Sequence, residues 1–554
     1  MLRNIISFIG GYLLVVKTHF RALSVQVGCN RKKGCFLLPL AFFFFSSQDA
    51  FGQPQTAPNQ TKSAQEVQAL QRLEQEIEND LNEPRFSNAF IGIEVRSVKT
   101  GESLFHQNEK KNFLPASNLK LVTTAAALGT LGPDFRYSTQ LVTDGKIHRS
   151  VLKGDLIIRG SGDPTFGSPS MFPDKDPTSI FDEWADSLEK LGIDRIDGAI
   201  IADPNYFTDD MYPDGWAVED MPFYFATASS GLSFADNSVS VSVTPGLHSG
   251  AKAIYEISPE TEYLTVDNSA MTREPKMATR AQGKDSSLTS VSLPSNTIKV
   301  TRAQGENAIS IVGTVDRGAT GVHEQLSIEN PALYAATVFR EMLEYRGFTI
   351  TGGTMTAGEL DEKIDYGHDQ TLLQYTSPPM SEIVKVVNKK SQNFYSEQLI
   401  RTIGKEMLGK GSWESGIIAV KKYLSSLGMD ADKLTLYDGS GLSRMDLISP
   451  EEIVTLLRAI QRQPKNFPAF DSSLPVMGID GTLSERLRQS AATGNVHAKT
   501  GFLTGIRCLS GYVKTKDDEL LAFSMMVNNY TIPTREINDL QDELILRLVN
   551  FSRK

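Results

Sequence analysis

The sequence is poor in cysteine, with 3 in 554 residues. Cys29 and Cys35 lie within the first 52 residues, a segment that we predict to be removed, so only Cys508 would remain in the folded chain. With a single cysteine, the chain after residue 52 cannot form an intrachain disulfide. We interpret Cys508 as a small core residue rather than a reactive thiol.

Several common catalytic motifs are also absent. The 7 histidines form no H-x-x-H or H-E-x-x-H pattern, so the sequence predicts no metal site. It contains no P-loop and no G-x-S-x-G nucleophile turn, and we expect no cofactor. A nucleophilic serine that is activated by something other than histidine is left open.

An excess of positive charge is missing as well. Lysine and arginine number 56 against 66 aspartates and glutamates, which gives a formal charge of -10. Because nucleic-acid binding needs a basic face, we exclude a nucleic-acid partner and expect a small molecule or a peptide as substrate. The other proportions, 40% hydrophobic and 22% charged, are those of a globular protein, and the length predicts roughly two to four domains.

The apolar run CFLLPLAFFFF (35–45) is too short for a stable transmembrane helix. It follows a basic cluster and precedes small residues, so residues 1–52 are predicted to be a signal peptide region, followed by a polar linker at 53–63. The late position of the run favours an over-long start assignment for residues 1–28. An uncleaved membrane anchor is the alternative.

Hydrophobic periodicity divides the rest of the chain. Short β-like runs with many turn residues fill residues 137–324, whereas four helices and then three strands are predicted in 325–554. One of the four helices is MSEIVKVVNKKSQNFYSEQLIRTIG (380–404). We predict an α+β catalytic domain assembled from 64–136 and 325–554, with one or two mainly-β domains inserted at 137–324.

A lysine one helical turn after a serine can activate that serine, because residues i and i+3 share a face. Only Ser117 and Lys120 open a helix, LVTTAAALGTLG, that is apolar nearly all round. Dry surroundings there would lower the pKa of Lys120 toward that of a general base. The other S-x-x-K pairs lie in strands, loops or a charged surface helix: Ser150/Lys153, Ser187/Lys190 and Ser249/Lys252.

Two more motifs follow in order. S-x-N occurs once, at Ser391 and Asn393, and Lys-Thr-Gly occurs on a predicted strand at Lys499 to Gly501, whose glycine would let a substrate backbone approach. A second Lys-Thr-Gly begins at Lys99, before the serine of S-x-x-K. We interpret that copy as the solvated tip of a β-hairpin.

The ordered set PASNLK, SQNFYSEQL and HAKTG resembles the penicillin-recognising serine peptidases. The stretches GDLIIRGSGDPTFG, PDGWAVEDMPFYFATASS and YDGSGLSRMDLISP narrow the resemblance to the S13 family, the D-alanyl-D-alanine carboxypeptidases/endopeptidases of the type-4 low-molecular-mass penicillin-binding proteins. It implies a serine β-lactamase/transpeptidase-like fold, with an antiparallel sheet flanked by helices. It also implies an exported, periplasmic enzyme, with peptidoglycan stem peptides and cross-links as substrates and β-lactams as inhibitors.

The resemblance also implies roles for the motif residues. Ser117 would attack the D-Ala-D-Ala carbonyl with Lys120 as general base, and Ser391 would relay a proton toward the leaving amine. Asn393 would hold Lys120 and the substrate amide. The backbone N–H groups of Ser117 and Phe502 would form the oxyanion hole.

Lys499 and Thr500 would bind the substrate carboxylate. The family usually has threonine where Phe502 stands, so a contact to a terminal carboxylate would be missing and the preference would shift toward endopeptidase action. Gln392 replaces an aspartate that is common inside S-x-N. His497, on the same strand face as Lys499, is either a substrate contact or a surface residue.

Two other classes of function stay open at this point. One is a β-lactamase or esterase that uses the same motifs. The other is a catalytically silent peptidoglycan-binding or penicillin-sensing protein that works through its inserted domains. The sequence gives no oligomeric state.

Overall fold

The computed structural model describes residues 62–275, 277–281, 288–292 and 295–554. The predicted signal region 1–52 and residues 53–61 of the predicted linker lie outside the described residues. The helices are α1 Ala64–Leu81, α2 Leu119–Thr130, α3 Ser179–Lys190, α4 Pro331–Tyr345, α5 Met380–Lys389, α6 Asn393–Leu408, α7 Trp413–Ser426, α8 Pro450–Gln461, α9 Phe467–Ser473 and α10 Thr534–Asn550. Among these helices none combines the length and the apolar character that a membrane span requires.

The strands are numbered in chain order. They are β1 Phe90–Ser97, β2 Ser103–Gln107, β3 Ser138–Thr143, β4 Lys146–His148, β5 Val151–Lys153, β6 Leu156–Arg159, β7 Arg195–Asp197, β8 Ile200–Asp203, β9 Ser238–Thr244, β10 Ile254–Ser258, β11 Thr265–Asn268, β12 Met271–Arg273, β13 Met277–Ala281, β14 Leu288–Ser292, β15 Lys299–Arg302, β16 Ala308–Val312, β17 Thr314–Asp316, β18 Val322–Ser327, β19 Thr349–Ile350, β20 Thr354–Thr356, β21 Gln370–Thr376, β22 Val496–Leu503, β23 Ile506–Lys514 and β24 Leu520–Asn528.

The central sheet is antiparallel and draws its strands from both ends of the chain, in the order β2-β1-β24-β23-β22. Alternate residues of β24 face two separate cores, as strand geometry requires. Phe523 and Met525 pack with α1 and α10 on one face, whereas Ala522 and Met526 pack with α2, α5, α6 and α8 on the other. The predicted α+β fold is therefore confirmed.

The remaining sheets are built from strands between residues 138 and 376. The largest has the order β20-β8-β6-β3-β21, and α3 and α4 cover a core beside it. β19, β20 and β21 lie beyond residue 324 but pair with β7, β8 and β3. The predicted division at 324/325 stays a prediction, and on this pairing we propose a boundary near residue 377.

The predicted helix over 380–404 is wrong in one respect, because it is two helices. α5 ends at Lys389 and α6 begins at Asn393, and Ser391 between them has a left-handed backbone with φ 58°. A residue in that conformation cannot continue a right-handed helix. The break lies inside the S-x-N motif.

Candidate active site

Ser117 lies in a 3-10 turn, Ala116–Asn118, that leads directly into α2. The first ten residues of α2 are all buried, so the helix is fixed in the core on every side. Lys120, one turn after Ser117, donates from Nζ to the Ser117 Oγ at 2.9 Å. The predicted pair of serine and lysine is therefore in direct contact.

Lys120 is completely buried and makes two further hydrogen bonds. Its Nζ donates to Asn393 Oδ1 at 2.6 Å and to the Ser440 carbonyl at 2.8 Å. Burial lowers the pKa of Lys120 to about 7, although the charges of Asp438 and Glu397 oppose the shift. A large fraction of this amine is unprotonated at neutral pH, as a general base requires.

The two carboxyl groups that face Lys120 are themselves buried. Asp438 accepts hydrogen bonds from the backbone N–H groups of Gly441 (2.6 Å) and Ser443 (2.7 Å) and from the indole N–H of Trp216 (2.9 Å). Burial and the nearby charge of Asp438 raise the pKa of Glu397 to about 8. Asp438 thus fixes a tight loop, and that loop presents its Ser440 carbonyl to Lys120.

Ser391 and Lys499 form the second contact of the site. Lys499 Nζ donates to Ser391 Oγ at 2.8 Å and to the carbonyl of Thr500 at 2.9 Å. Burial holds the pKa of Lys499 well below its usual range, and the charges of Lys120 and Arg507 lower it further. The Ser391 hydroxyl can therefore exchange a proton with a neighbouring amine.

Asn393 joins the two halves of the site from the first turn of α6. Its Oδ1 accepts from Lys120, and its Nδ2 donates to the carbonyl of Phe225 at 2.7 Å. Lys120 and Asn393 are 273 residues apart in the chain. Residues 137–324, which include Phe225, thus contribute directly to the wall of the site.

Strand β22 supplies Thr500, Gly501 and Phe502. The hydroxyls of Thr500 and Thr482 are 2.8 Å apart, and the Phe502 side chain is half exposed beside Arg507, whose guanidinium lies 5.8 Å from the ring centre. A Cβ on Gly501 would lie 2.7 Å from the Pro115 carbonyl. The glycine therefore lets β22 approach the segment that carries Ser117.

These side chains surround one open cavity of about 700 Å³. The lining includes the predicted residues Ser117, Ser391, Asn393, Thr500 and Phe502. Charged and aromatic side chains also line it: Asp220, Tyr224, Phe225, Lys390, Arg444 and Arg507. Within the described ranges no cluster of histidine, cysteine or acidic residues has the arrangement of a metal site.

Other residues that the sequence singled out lie elsewhere. The Lys99 copy of Lys-Thr-Gly occupies the turn between β1 and β2, as predicted, with Gly101 at φ 83°. His497 Nδ1 pairs with Asp471 at 2.9 Å and does not line the cavity. Cys508 is buried, and burial raises the pKa of its thiol to about 12. The thiol therefore stays protonated, which fits the predicted role as a core residue.

Three groups at the site escaped prediction: the carbonyls of Ser440 and Phe225, and the Thr482 hydroxyl. Two of them are backbone groups, which every residue carries, so no side-chain pattern reveals them. All three residues lie in stretches that support the S13 resemblance, Thr482 in SLPVMGIDGTLSERL, and this resemblance is the signal that could have found them.

Known proteins resemble this chain over most of its length. Residues 73–550 match the family model of the D-Ala-D-Ala carboxypeptidase 3 (S13) family. A D-alanyl-D-alanine carboxypeptidase of Actinomadura sp. (strain R39) is 32% identical over 494 residues, which cover 87% of this chain and 85% of that protein. The penicillin-sensitive carboxypeptidase A of Dictyostelium discoideum is 26% identical over 516 residues, covering 87% and 92% respectively.

A solved structure shares the fold. The crystal structure of penicillin binding protein 4 (dacB) from Haemophilus influenzae superposes with a TM-score of 0.70 at 22% identity, covering 86% of this chain and 98% of that one. Because the family match spans most of the chain and one relative exceeds 30% identity, the resemblance stated above is confirmed. The chain belongs to the D-Ala-D-Ala carboxypeptidase 3 (S13) family of serine hydrolases.

Proposed function

We propose that this family member hydrolyses the D-Ala-D-Ala bond of peptidoglycan peptides through an acyl-enzyme on Ser117, and that penicillins acylate the same serine. The observation that carries the proposal is the 2.9 Å contact between Lys120 Nζ and Ser117 Oγ, with the pKa of the amine near 7. When Lys120 is neutral, its two N–H groups can stay on Asn393 and Ser440 while its lone pair accepts from the Ser117 hydroxyl, which is thereby an activated nucleophile.

In the acylation step, Lys120 takes the proton of Ser117 as Oγ attacks the substrate carbonyl. The negative charge that develops on the carbonyl oxygen would be stabilised by the backbone N–H groups of Ser117 and Phe502. The proton then passes from Lys120 through the Ser391 hydroxyl to the nitrogen of the leaving D-alanine as the C–N bond breaks, so that Lys120 is neutral again. Water then hydrolyses the ester with Lys120 again as base.

Substrate binding uses the same wall of the cavity. Lys499 and Thr500 would hold an anionic group of the substrate, because the Lys499 amine has no carboxylate partner among the described residues. Asn393 would orient the substrate amide while its Oδ1 holds Lys120. Gly501 keeps β22 close to Ser117 through packing, so its contribution is to the spacing of the two motifs.

Cross-linked peptides are the proposed preferred substrates, alongside stem peptides. Phe502 offers no hydroxyl beside Thr500, and its ring is 54% exposed at the cavity. A substrate that ends in a free carboxylate lacks one hydrogen-bond donor at this position and therefore binds less well. Binding of a cross-linked substrate through its amide is weakened less. Export through the predicted signal region and action in the periplasm complete the proposal, since the substrate lies outside the cytoplasm.

Fluorescent penicillin tests the proposal directly. The purified protein is incubated with the label and denatured, and the labelled peptide is identified by mass spectrometry. We expect label on Ser117, and none in Ser117→Ala or Lys120→Ala. A folded wild-type protein that takes up no label would favour the silent binding protein, and rapid turnover of a chromogenic cephalosporin would favour a β-lactamase.

A further inference from the structure

The loop between α5 and α6 holds Ser391 in an unusual backbone conformation. Ser391 has φ 58°, a region that serine seldom adopts. Such a conformation persists only where the surrounding contacts fix it. The question is therefore which groups fix this loop.

Both chain neighbours of Ser391 bind one residue, Ser170, which comes from residues 137–324. Lys390 Nζ donates to the Ser170 carbonyl at 2.8 Å. Gln392 Nε2 donates to the Ser170 Oγ at 3.0 Å. Gln392 is nearly buried and makes no side-chain cap to α6, so its amide is committed to Ser170.

Ser170 is itself held from behind by a buried carboxyl group. Its backbone N–H donates to Asp236 Oδ2 at 3.1 Å, and Asp236 is 6% exposed. Asp236 lies in a run of three left-handed residues, Ala235 to Asn237, with φ values of 50°, 55° and 52°. The Asn237 amide fixes that run by donating to the Ala228 carbonyl at 2.8 Å.

A second hydrogen bond connects the same part of the chain to α6. The hydroxyls of Ser168 and Tyr395 are 2.5 Å apart, and Tyr395 belongs to the first turn of α6. Ser168 Oγ also accepts from the Met171 N–H at 3.1 Å. The segment 168–171 is therefore fastened both to the loop that carries Ser391 and to the helix that follows it.

We propose that Ser170, backed by Asp236, is a positioning residue that holds Ser391 where it can pass a proton to the leaving group. The inference rests on the proposed function of Ser391. It gives residues 137–324 a part in catalysis, because their segment 168–171 helps to set the conformation of the S-x-N loop, together with the bond from Lys499 to Ser391 and the pair of Lys389 with Asp480.

The chemistry of the leaving group makes the proposal testable. An amine leaves only when it is protonated, whereas the alkoxide of an ester leaves with much less help. A displaced Ser391 therefore slows cleavage of a peptide ending in D-Ala-D-Ala far more than cleavage of the matching ester, in which D-lactate replaces the last D-alanine. A general loss of folding slows both alike.

The experiment compares kcat and KM for both substrates in Ser170→Ala, Gln392→Ala and Ser170→Thr. We expect the two alanine variants to lose roughly 10- to 100-fold in kcat for the amide, with KM and the kcat for the ester nearly unchanged. Ser170→Thr keeps the hydroxyl and should retain activity. The control is Ser242→Ala, which removes a hydroxyl whose one bond among the described residues is to His323, far along the chain from the loop.

Equal losses on amide and ester, or no loss on the amide, would overturn the positioning role while leaving the proposed function intact. A wild-type protein that cleaves neither substrate and is not acylated at Ser117 would overturn the proposed function and this inference together. The melting temperature of each variant separates a folding defect from either result.

Discussion

Lys120 and Lys499 are two buried amines at the same site, and neither contacts a carboxylate within the described residues. Burial lowers the pKa of both, but their surroundings differ. Asp438 and Glu397 partly restore the charge of Lys120, whereas Lys120 and Arg507 further disfavour charge on Lys499. Lys120 is therefore suited to act as a base. Lys499 is suited to bind an anion and to take up a proton when that anion binds.

Acylation should therefore depend on pH through Lys120. The neutral amine is the base, and its pKa is about 7, so we expect the rate of penicillin acylation to rise with pH through 7 and to level off above it. Below pH 6 the rate should fall about tenfold per pH unit. Stopped-flow measurement of acylation between pH 5 and 9 checks this, with thermal unfolding at each pH as the control. A rise only near pH 10 would assign the ordinary lysine pKa to this residue.

The exchange Phe502→Thr should alter substrate preference. The new hydroxyl beside Thr500 can donate to a terminal carboxylate, so we expect carboxypeptidase activity to rise relative to endopeptidase activity by roughly 10-fold, the value of one hydrogen bond to a charged group. Chromatography of products from a D-Ala-D-Ala pentapeptide and from a cross-linked dimer measures the ratio. Phe502→Leu, which adds no hydroxyl, is the matched control and should leave the ratio unchanged.

The elements of the site meet through close backbone approaches. The turn that carries Ser117 is held between the loop at Gly441 and strand β22 at Gly501. A Cβ on Gly441 would overlap the Ala116 carbonyl, and one on Gly501 would lie 2.7 Å from the Pro115 carbonyl. Gly441 also has φ 80°, a conformation in which only glycine is unstrained. The two glycines thus set the distance between the motifs.

The variant Gly441→Ala should consequently damage the site. We expect a loss of about 2 kcal/mol or more in the free energy of unfolding, from the overlap and the left-handed backbone, together with a large fall in penicillin labelling at Ser117. Gly353→Ala is the control, because its added Cβ would meet no atom of the described residues within 4 Å. Calorimetry gives the free energy of unfolding of both variants, and fluorescent penicillin gives their labelling at Ser117. Equal stability and equal labelling of the two variants would contradict the packing role of Gly441.

At the scale of the molecule, α6 joins the motif loops to residues 204–234. Asn393, Gln398 and Arg401 lie along this helix, and each donates to a backbone carbonyl of that segment: Phe225 at 2.7 Å, Ser230 at 3.0 Å and Ser229 at 2.9 Å. Because Gln398 and Arg401 are buried, their hydrogen bonds are costly to break. The helix that begins in the S-x-N motif thus also supports the neighbouring segment.

Arg401→Ala tests this support. The guanidinium lies between the rings of Phe207 (4.5 Å) and Trp413 (4.3 Å) and is fully buried, so its removal leaves a cavity and several unpaired carbonyls. We expect a destabilisation of about 3 kcal/mol or more, seen as a lower melting temperature. Arg535→Ala, at a side chain that is 89% exposed, should change stability by less than about 0.5 kcal/mol. Similar melting temperatures for the two variants would contradict the role of Arg401.

The sequence alone determined the α+β class, the family and the set of motif residues that the structure gathers around one cavity. The class and the pairing of Ser117 with Lys120 follow from local rules, namely helical and strand periodicity and a spacing of one helical turn. The family follows from the resemblance of the ordered motifs and the stretches around them to the S13 peptidases. The first Lys-Thr-Gly was also recognisable as a turn, because it separates two short strand patterns.

The tertiary structure alone decided three other features. No glycine or proline marks the break at Ser391, so local preferences favour one continuous helix. The break is held by the contacts of Lys390 and Gln392 with Ser170. The Ser440 carbonyl that holds Lys120 belongs to the backbone, so no side-chain pattern identifies it as a ligand of the amine. The pairing of β21 with β3, across the predicted boundary, depends on which distant strand offers free hydrogen-bonding groups, and only the folded chain determines that choice.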